Sequence, residues 1–148
     1  MPFAWEPNGA PRAIHRYMTS GLEASHPLRI FLVEDHADTL DAMCLYLRHV
    51  GHTVRCARTK KEALTKIIQE DYDVLISDIG LSDGNGWDLI QEMGDFRPQF
   101  AVAMSGYGTA TDRERSTEAG FRHHLIKPVS LEKLAAVLDE AVVEVHKH

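Results

Sequence analysis

The stretch Arg29-Ile-Phe-Leu-Val-Glu-Asp35 joins a continuous apolar run to an abrupt acidic end. Neighbouring residues of a β-strand point to opposite sides of a sheet, so an unbroken apolar run predicts a strand that is buried on both faces. Strands of this kind are typical of parallel sheets that carry helices on both sides. The stretch therefore favours an α/β fold.

Short apolar runs alternate with helical patterns along the rest of the chain. Four more runs are predicted strands: Thr53–Ala57, Asp73–Ser77, Phe100–Met104 and His124–Ile126. Between the strands, apolar residues recur at helical spacing, as in the set Leu40, Met43, Cys44 and Leu47. Thr59 and Ser130 mark helix starts. Five strands joined by right-handed helical crossovers predict a doubly wound, flavodoxin-like (βα)5 fold with strand order 2-1-3-4-5.

The composition is that of a folded protein with a moderate negative charge. Among the 148 residues, 16 Lys and Arg stand against 22 Asp and Glu, which gives a formal net charge of −6. A negative net charge disfavours binding to the phosphate backbone of a nucleic acid. No apolar run approaches the roughly 18 residues of a membrane span, and the N-terminus lacks the apolar core of a signal peptide. We expect a soluble, cytoplasmic protein with no direct DNA binding and no membrane contact.

Residues 1–27 differ from the rest of the chain. They contain four of the six prolines, and their acidic and basic side chains cancel. No helical or alternating apolar pattern runs through them, which predicts a flexible N-terminal arm. We expect one folded domain, over residues 28–146.

Cysteines and histidines offer no strong metal-binding pattern. Cys44 and Cys56 lie 12 residues apart with neither a CxxC pair nor a matching His motif, so we expect reduced core thiols. His123 and His124 are adjacent, and adjacent strand residues point to opposite faces. The His-Lys-His end of the chain is expected to be exposed to solvent.

Polar residues follow four of the five predicted strands: Glu34, Asp35, Asp78, Ser105 and Lys127. In a doubly wound sheet the ligand site lies at the carboxyl ends of the strands, and the first and third strands are neighbours at the switch point. Three carboxylates should therefore converge and repel one another unless a cation neutralises them. A hard divalent ion with oxygen ligands meets this requirement, and Mg²⁺ is the ion we expect.

These residues are the parts of a site for a phosphoryl group. A carboxylate serves as nucleophile, a metal ion binds the phosphoryl oxygens, and a hydroxyl and a lysine donate to the remaining oxygens. The general polarity of loops explains one or two of these positions, but it explains the whole set poorly.

Two other classes of protein use related parts. An aspartyl phosphatase usually carries a second acid two residues after its nucleophile, and that position is Gly80 here. A flavin-binding domain of the same topology needs a phosphate loop rich in Ser, Thr and Gly after the first strand, where this chain has Glu34-Asp35-His36. Both are disfavoured by these residues.

Taken together and in this order, four stretches resemble the receiver domain of two-component response regulators and hybrid sensor kinases. They are LRIFLVEDH, DVLISDIGLSDGNGWDL, AVAMSGYG and GFRHHLIKPVS, and the resemblance runs from Leu28 to about Val145. The sequences SDIGLSDGNG and HHLIKPVS are most similar to those of receivers attached to hybrid kinases.

The resemblance implies a role for individual residues. Asp78 matches the aspartate that accepts phosphate from a phosphohistidine, and Ser105 and Lys127 match the hydroxyl and the lysine that contact the phosphoryl group. Gly106 matches the small residue that leaves the site open. The implied Mg²⁺ ligands are Glu34, Asp35, Asp78 and the backbone carbonyl of Gly80.

Two positions depart from the family pattern. Ser82 stands where the family often has Pro, so the loop after Asp78 is expected to be less rigid. His124 stands at the aromatic switch position that works together with Ser105. Because histidine side chains change charge near neutral pH, His124 predicts pH-sensitive switching.

The resemblance implies a stand-alone receiver, since few residues follow the last predicted helix. We expect Mg²⁺-dependent phosphorylation of Asp78 by a sensor histidine kinase or a histidine-phosphotransfer protein, with autodephosphorylation and no enzymatic turnover. The polar helix over residues 111–119 is expected to be solvated. The surface from the fourth to the fifth helix is the expected contact for a downstream protein or for a homodimer. The alternative, a receiver-like module that binds proteins without phosphate, is disfavoured by the complete set of acids, serine and lysine.

Overall fold

The computed structural model describes residues 26–146. Most of the predicted N-terminal arm, residues 1–25, and His148 of the terminal histidine pair lie outside the described residues. Among the residues described, no helix is both long and apolar enough to cross a membrane.

Strands and helices alternate along the described chain. The strands are β1 (Arg29–Val33), β2 (Thr53–Ala57), β3 (Val74–Asp78), β4 (Gly80–Leu81), β5 (Gly84–Asn85), β6 (Phe100–Ser105) and β7 (His123–Ile126). The α-helices are α1 (Ala37–His49), α2 (Lys60–Ile67), α3 (Gly86–Met93), α4 (Ala110–Ala119) and α5 (Leu131–Val145), and a short 3-10 turn spans Gly94–Phe96.

Five strands form one parallel sheet in the order β2-β1-β3-β6-β7. This is the predicted order 2-1-3-4-5 once β4 and β5 are set aside, because those two short strands form a separate antiparallel hairpin. The predicted doubly wound, flavodoxin-like fold is therefore confirmed. The sheet brings the carboxyl ends of β1, β3, β6 and β7 to one edge.

The apolar core has two halves, one on each face of the sheet. One half joins alternate strand residues such as Ile30 and Leu32 to helices α1 and α5. The other half joins Phe31 and Val33 to helices α2, α3 and α4. Each of these four β1 side chains is fully buried, as the unbroken apolar run predicts for a strand covered on both sides.

Several element ends differ by a residue or two from the prediction. Asp78 and Ser105 are the last residues of β3 and β6 rather than the first loop residues, because both still lie in register with a neighbouring strand. Helix α4 begins at Ala110, since the Thr109 side chain accepts a hydrogen bond from the backbone N–H of Asp112. The predicted side-chain caps at Thr59 and Ser130 are confirmed.

The expectation of reduced cysteines is wrong for this structure. Cys44 on α1 and Cys56 on β2 are joined in a disulfide. Their spacing of 12 residues carries no motif, but the β1–α1–β2 unit packs α1 over β2 and places both side chains in the same apolar cluster. The pairing follows from that packing, which the spacing alone did not indicate.

Candidate functional site

Three carboxylates converge at the carboxyl edge of the sheet. Val33 of β1 lies in register with Ser77 of β3, which sets the acidic pair after β1 beside Asp78. One oxygen each from Glu34, Asp35 and Asp78 lies within 4.8 Å of the other two. Glu34 is fully buried and Asp78 is only 6% exposed, so most of this negative charge lies away from bulk water.

Lys127 lies between two of these carboxylates. Its Nζ donates to Glu34 Oε1 at 2.6 Å and to Asp78 Oδ2 at 2.8 Å. Burial alone lowers the pKa of Lys127, but the hydrogen bonds and negative charges of Asp78 and Glu34 outweigh burial and raise that pKa above its usual value. The lysine is therefore held as a cation at the end of β7.

The donor set suits a hard divalent cation. Three carboxylates and one ammonium leave a formal charge of −2 within the cluster. Carboxylate and carbonyl oxygens are the ligands that Mg²⁺ and Ca²⁺ take in proteins. Gly80, the predicted carbonyl ligand, lines the same cavity as Asp78.

A glycine allows the loop after β3 to pass close to Asp78. A Cβ atom at Gly86 would lie 2.6 Å from the backbone oxygen of Asp78 and 3.2 Å from Ile79 Cα. The Gly86 N–H also donates to the Ile79 carbonyl at 2.8 Å. Only a residue without a side chain lets the start of α3 pack this closely against the end of β3.

The hairpin within this loop is anchored at its tip. Ser82 and Asp83 form the turn between β4 and β5. The Asp83 carboxylate accepts hydrogen bonds from the backbone N–H groups of Lys60 and Lys61, at 2.7 and 3.0 Å. These bonds cap the first turn of α2, and they lower the pKa of Asp83. Ser82 was expected to make this loop less rigid than Pro would. The hydrogen bonds of the next residue, Asp83, hold the turn to α2.

Ser105 lies at the end of β6 with its hydroxyl directed to the loop and to β7. It donates to the Tyr107 carbonyl and lies 2.7 Å from His124 Nε2. His124 Nε2 is also 3.2 Å from the Tyr107 carbonyl. The two predicted switch residues, Ser105 and His124, are therefore in direct contact.

The histidines of β7 point to opposite faces of the sheet, as predicted. His123 Nε2 lies 2.7 Å from Glu140 Oε2 on α5. On the other face, His124 Nδ1 lies 2.9 Å from Ser116 Oγ on α4. The two imidazoles therefore do not form a shared metal site.

An open cavity of about 390 Å³ lies beside these groups. Its walls include Asp78, Ser105 and Lys127, together with Trp87, Tyr107, Asp112 and His124. Gly106 also lines the cavity, and a Cβ atom at this position would meet nothing within 4 Å. The site thus has room for a small group bonded to Asp78.

A larger groove of about 690 Å³ opens on the other side of Lys127. Helix α1 contributes Asp38, Met43 and Tyr46, and the segment before α5 contributes Pro128 and Val129. The groove is mainly apolar and shares Lys127 with the carboxylate cluster.

The family model for the response regulator receiver domain matches residues 30–139. This chain belongs to that family. The predicted resemblance is therefore confirmed, and the matched range covers β1 through most of α5.

Curated relatives of the receiver include longer regulators. The response regulator protein PilR of Pseudomonas aeruginosa is 31% identical over 115 residues, which cover 77% of this chain and 26% of PilR. The transcriptional regulatory protein HprR of Escherichia coli is 25% identical over 109 residues, which cover 74% of this chain and 49% of HprR. The chain thus spans less than half the length of either relative.

Solved structures of receivers have the same fold. A CheY-like receiver domain protein of Methanospirillum hungatei matches with a TM-score of 0.76 and 30% identity, over 82% of this chain and 98% of that one. A two-component response regulator of Clostridium difficile matches with a TM-score of 0.74 and 26% identity, over 78% of this chain and 95% of that one.

The receiver also contains site residues that the sequence did not indicate. Ser116 is 1% exposed although it lies on the polar helix α4, so the prediction that this helix is solvated is wrong at that position. Trp87 lines the cavity and donates from Nε1 to Ser116 Oγ at 2.9 Å. Gly86, which must lack a side chain to pack beside Asp78, is the third such residue. A serine in a polar helix and a tryptophan among apolar residues at helical spacing carry no signal of these contacts.

Proposed function

We propose that this receiver accepts a phosphoryl group on Asp78 from a histidine-phosphorylated donor protein and thereby switches a protein-interaction surface. The observation that carries the proposal is the geometry around Asp78. Asp78 is 6% exposed, and its carboxylate accepts a hydrogen bond from Lys127 at 2.8 Å. One of its oxygens lies within 4.8 Å of an oxygen of each of two further acids. Such a cluster has little structural use without a ligand, because buried like charges repel one another.

The chemistry is transfer of a phosphoryl group between two side chains. A carboxylate oxygen of Asp78 attacks phosphorus as the P–N bond of the donor's phosphohistidine breaks, and the freed imidazole takes a proton as it leaves. Hydrolysis of the resulting acyl phosphate returns Asp78 to the carboxylate. The receiver itself completes one phosphorylation cycle and turns over no free substrate.

Each neighbour of Asp78 has a distinct part in this reaction. Lys127 supplies a fixed positive charge to a phosphoryl oxygen, and the Ser105 hydroxyl donates to another oxygen once it leaves Tyr107. Glu34, Asp35, Asp78 and the Gly80 carbonyl would hold Mg²⁺, which when bound neutralises charge on the phosphoryl oxygens.

The donor is proposed to be a sensor histidine kinase or a histidine-phosphotransfer protein. The apolar groove between α1 and the start of α5 supports this, because it offers a mainly apolar surface for a protein partner and shares Lys127 with the cluster. Membership of the family supports the same class of donor.

The output surface is proposed to lie from α4 to α5. Tyr107 is 77% exposed and Ile126 is 37% exposed, and both are large apolar residues near the site hydroxyl. Ser105 and His124 contact each other and line the same cavity as Asp78. Phosphorylation would shift a pre-existing equilibrium of the surface, which a downstream protein or a second copy would then detect.

The test is the intact mass of the full chain after incubation with acetyl phosphate, with and without Mg²⁺. We expect a gain of one phosphoryl group that requires Mg²⁺ and is absent from Asp78→Asn. Asp95→Asn, an exposed acid on the 3-10 turn, is the matched control and should be labelled like the wild type. Absence of labelling in the wild type would contradict the proposal and favour a module that binds proteins without phosphate.

A further inference from the structure

The His124 imidazole is bonded at both ring nitrogens. Nε2 lies 2.7 Å from Ser105 Oγ on β6, and Nδ1 lies 2.9 Å from Ser116 Oγ on α4. A neutral imidazole donates from one nitrogen and accepts at the other. The neighbours of the ring therefore determine which nitrogen carries the hydrogen.

Trp87 determines the direction of these bonds. Its indole Nε1–H can only donate, and it donates to Ser116 Oγ at 2.9 Å. The Ser116 hydroxyl hydrogen is then left for His124 Nδ1, so that Nδ1 is the acceptor and Nε2 carries the hydrogen. At the other end, the Ser105 hydroxyl donates to the Tyr107 carbonyl. Its oxygen accepts from the Tyr107 N–H at 3.3 Å and has a second lone pair that accepts from Nε2–H.

The chain of bonds is complete in one direction only. It runs from Trp87 through Ser116 and His124 to Ser105 and ends on the Tyr107 carbonyl. Ser116 is 1% exposed, so a reversed bond from Nδ1 would leave its hydroxyl hydrogen buried with no acceptor among the described residues. An unsatisfied buried donor is costly, and the observed direction avoids it.

We propose that Ser116 and Trp87 are positioning residues that fix His124 as an Nε2–H donor and so hold the Ser105 hydroxyl in its resting position. The inference rests on the proposed function, since Ser105 is the group that must move to the phosphoryl oxygens. When Ser105 leaves, the chain loses its last link, and α3 and α4 are no longer tied to the end of β6. The chain therefore links phosphorylation to these two helices.

The first test measures the His124 tautomer in the unphosphorylated full-length protein, by ¹⁵N NMR of the histidine side chains at pH 8. The His124 signals are assigned by their loss in His124→Phe. We expect hydrogen on Nε2 alone in the wild type. Trp87→Phe, which removes the donor but keeps an aromatic ring, should add a population with hydrogen on Nδ1. A wild-type protein with hydrogen on Nδ1 would overturn the proposal.

The second test measures the rate of labelling by acetyl phosphate. Ser116→Ala removes both hydrogen bonds of the Ser116 hydroxyl, to Trp87 and to His124, from the resting state. It should label roughly three- to tenfold faster than the wild type. Thr117→Ala is the matched control, because the Thr117 hydroxyl bonds only the Arg113 carbonyl on the exposed side of α4, and its rate should stay at the wild-type value. Equal rates for Ser116→Ala and Thr117→Ala would contradict the proposal.

The two tests separate this inference from the proposed function. If Asp78 in the wild type gains no phosphoryl group, the proposed function fails, but the tautomer measurement still tests the hydrogen-bonded chain. If Asp78 is labelled and the tautomer is wrong, only the positioning role of Ser116 and Trp87 fails.

Discussion

Lys127 Nζ lies 2.8 Å from Asp78 Oδ2, although the two residues are 49 positions apart in the chain. The lysine ammonium also donates a hydrogen bond to Glu34 at 2.6 Å, so it supplies positive charge to two of the three carboxylates. If the cluster binds Mg²⁺ as proposed, the ammonium would compete with the metal ion for these two carboxylates.

Lys127→Met is therefore expected to bind Mg²⁺ more tightly but to accept phosphate poorly. Loss of the ammonium changes the formal charge of the cluster from −2 to −3, which should lower the Kd for Mg²⁺ by roughly tenfold. Labelling of Asp78 should fall because a phosphoryl oxygen loses its lysine. Calorimetric titration with Mg²⁺ checks the first effect and intact mass checks the second. Lys133→Met, on the exposed side of α5, should change neither; weaker Mg²⁺ binding by Lys127→Met would refute the competition.

Gly86→Ala is expected to lower the free energy of unfolding by about 1–3 kcal/mol through overpacking. The added Cβ would lie 2.6 Å from the backbone oxygen of Asp78, so the end of β3 must shift and labelling should slow. Urea unfolding and the labelling rate measure the two effects. For the unfolding measurement, Gly80→Ala is the control from the same loop, because its Cβ meets nothing within 4 Å. Equal stability of the two variants would show that the clash at Gly86 relaxes without cost.

His52 is expected to make the fold sensitive to acid. The side chain is 5% exposed, its Nδ1 accepts from the Leu28 N–H at 2.9 Å, and burial lowers its pKa to about 4. An unfolded histidine has a pKa near 6.5, so between these values the unfolded chain binds a proton that the folded chain does not. Stability is therefore full above about pH 6.5 and falls as the pH drops towards 4.

The size of this effect follows from the difference between the two pKa values. Between pH 7.5 and pH 4.5 the wild type should lose about 2–3 kcal/mol through His52 alone. His52→Asn keeps an acceptor for the Leu28 N–H but does not titrate in this range. Its loss of stability between the two pH values should therefore be smaller than that of the wild type by about 2–3 kcal/mol. Urea unfolding of both proteins at the two pH values provides the measurement, and identical losses would count against the buried, neutral histidine.

The fold and the carboxylate cluster were predictable from the sequence for a simple reason. The unbroken apolar runs are local signals of buried parallel strands, and a parallel sheet brings its carboxyl ends together whatever the details of packing. Glu34, Asp78 and Lys127 were therefore placed correctly by topology alone.

Contacts that depend on how helices pack were not predictable in this way. Ser116 lies in a polar helix whose composition indicates a solvated surface, and only the packing of α4 against α3 and β7 buries it beside Trp87 and His124. The disulfide between Cys44 and Cys56 depends in the same way on the packing of α1 over β2. The sequence contains the residue types, but their distances are set by side-chain packing across three elements.

The anchor at Asp83 has a practical consequence for protein engineering. Exposed loop tips are usually the safest places to insert a tag or a sensor domain. The β4–β5 hairpin is an exception, because its tip is the part fastened to the first turn of α2. An insertion between Ser82 and Asp83 would lengthen the loop and disrupt the hydrogen bonds from Asp83 to the first turn of α2. It would also make the segment that contains Gly80 more mobile. A tag that leaves signalling intact belongs elsewhere on the surface.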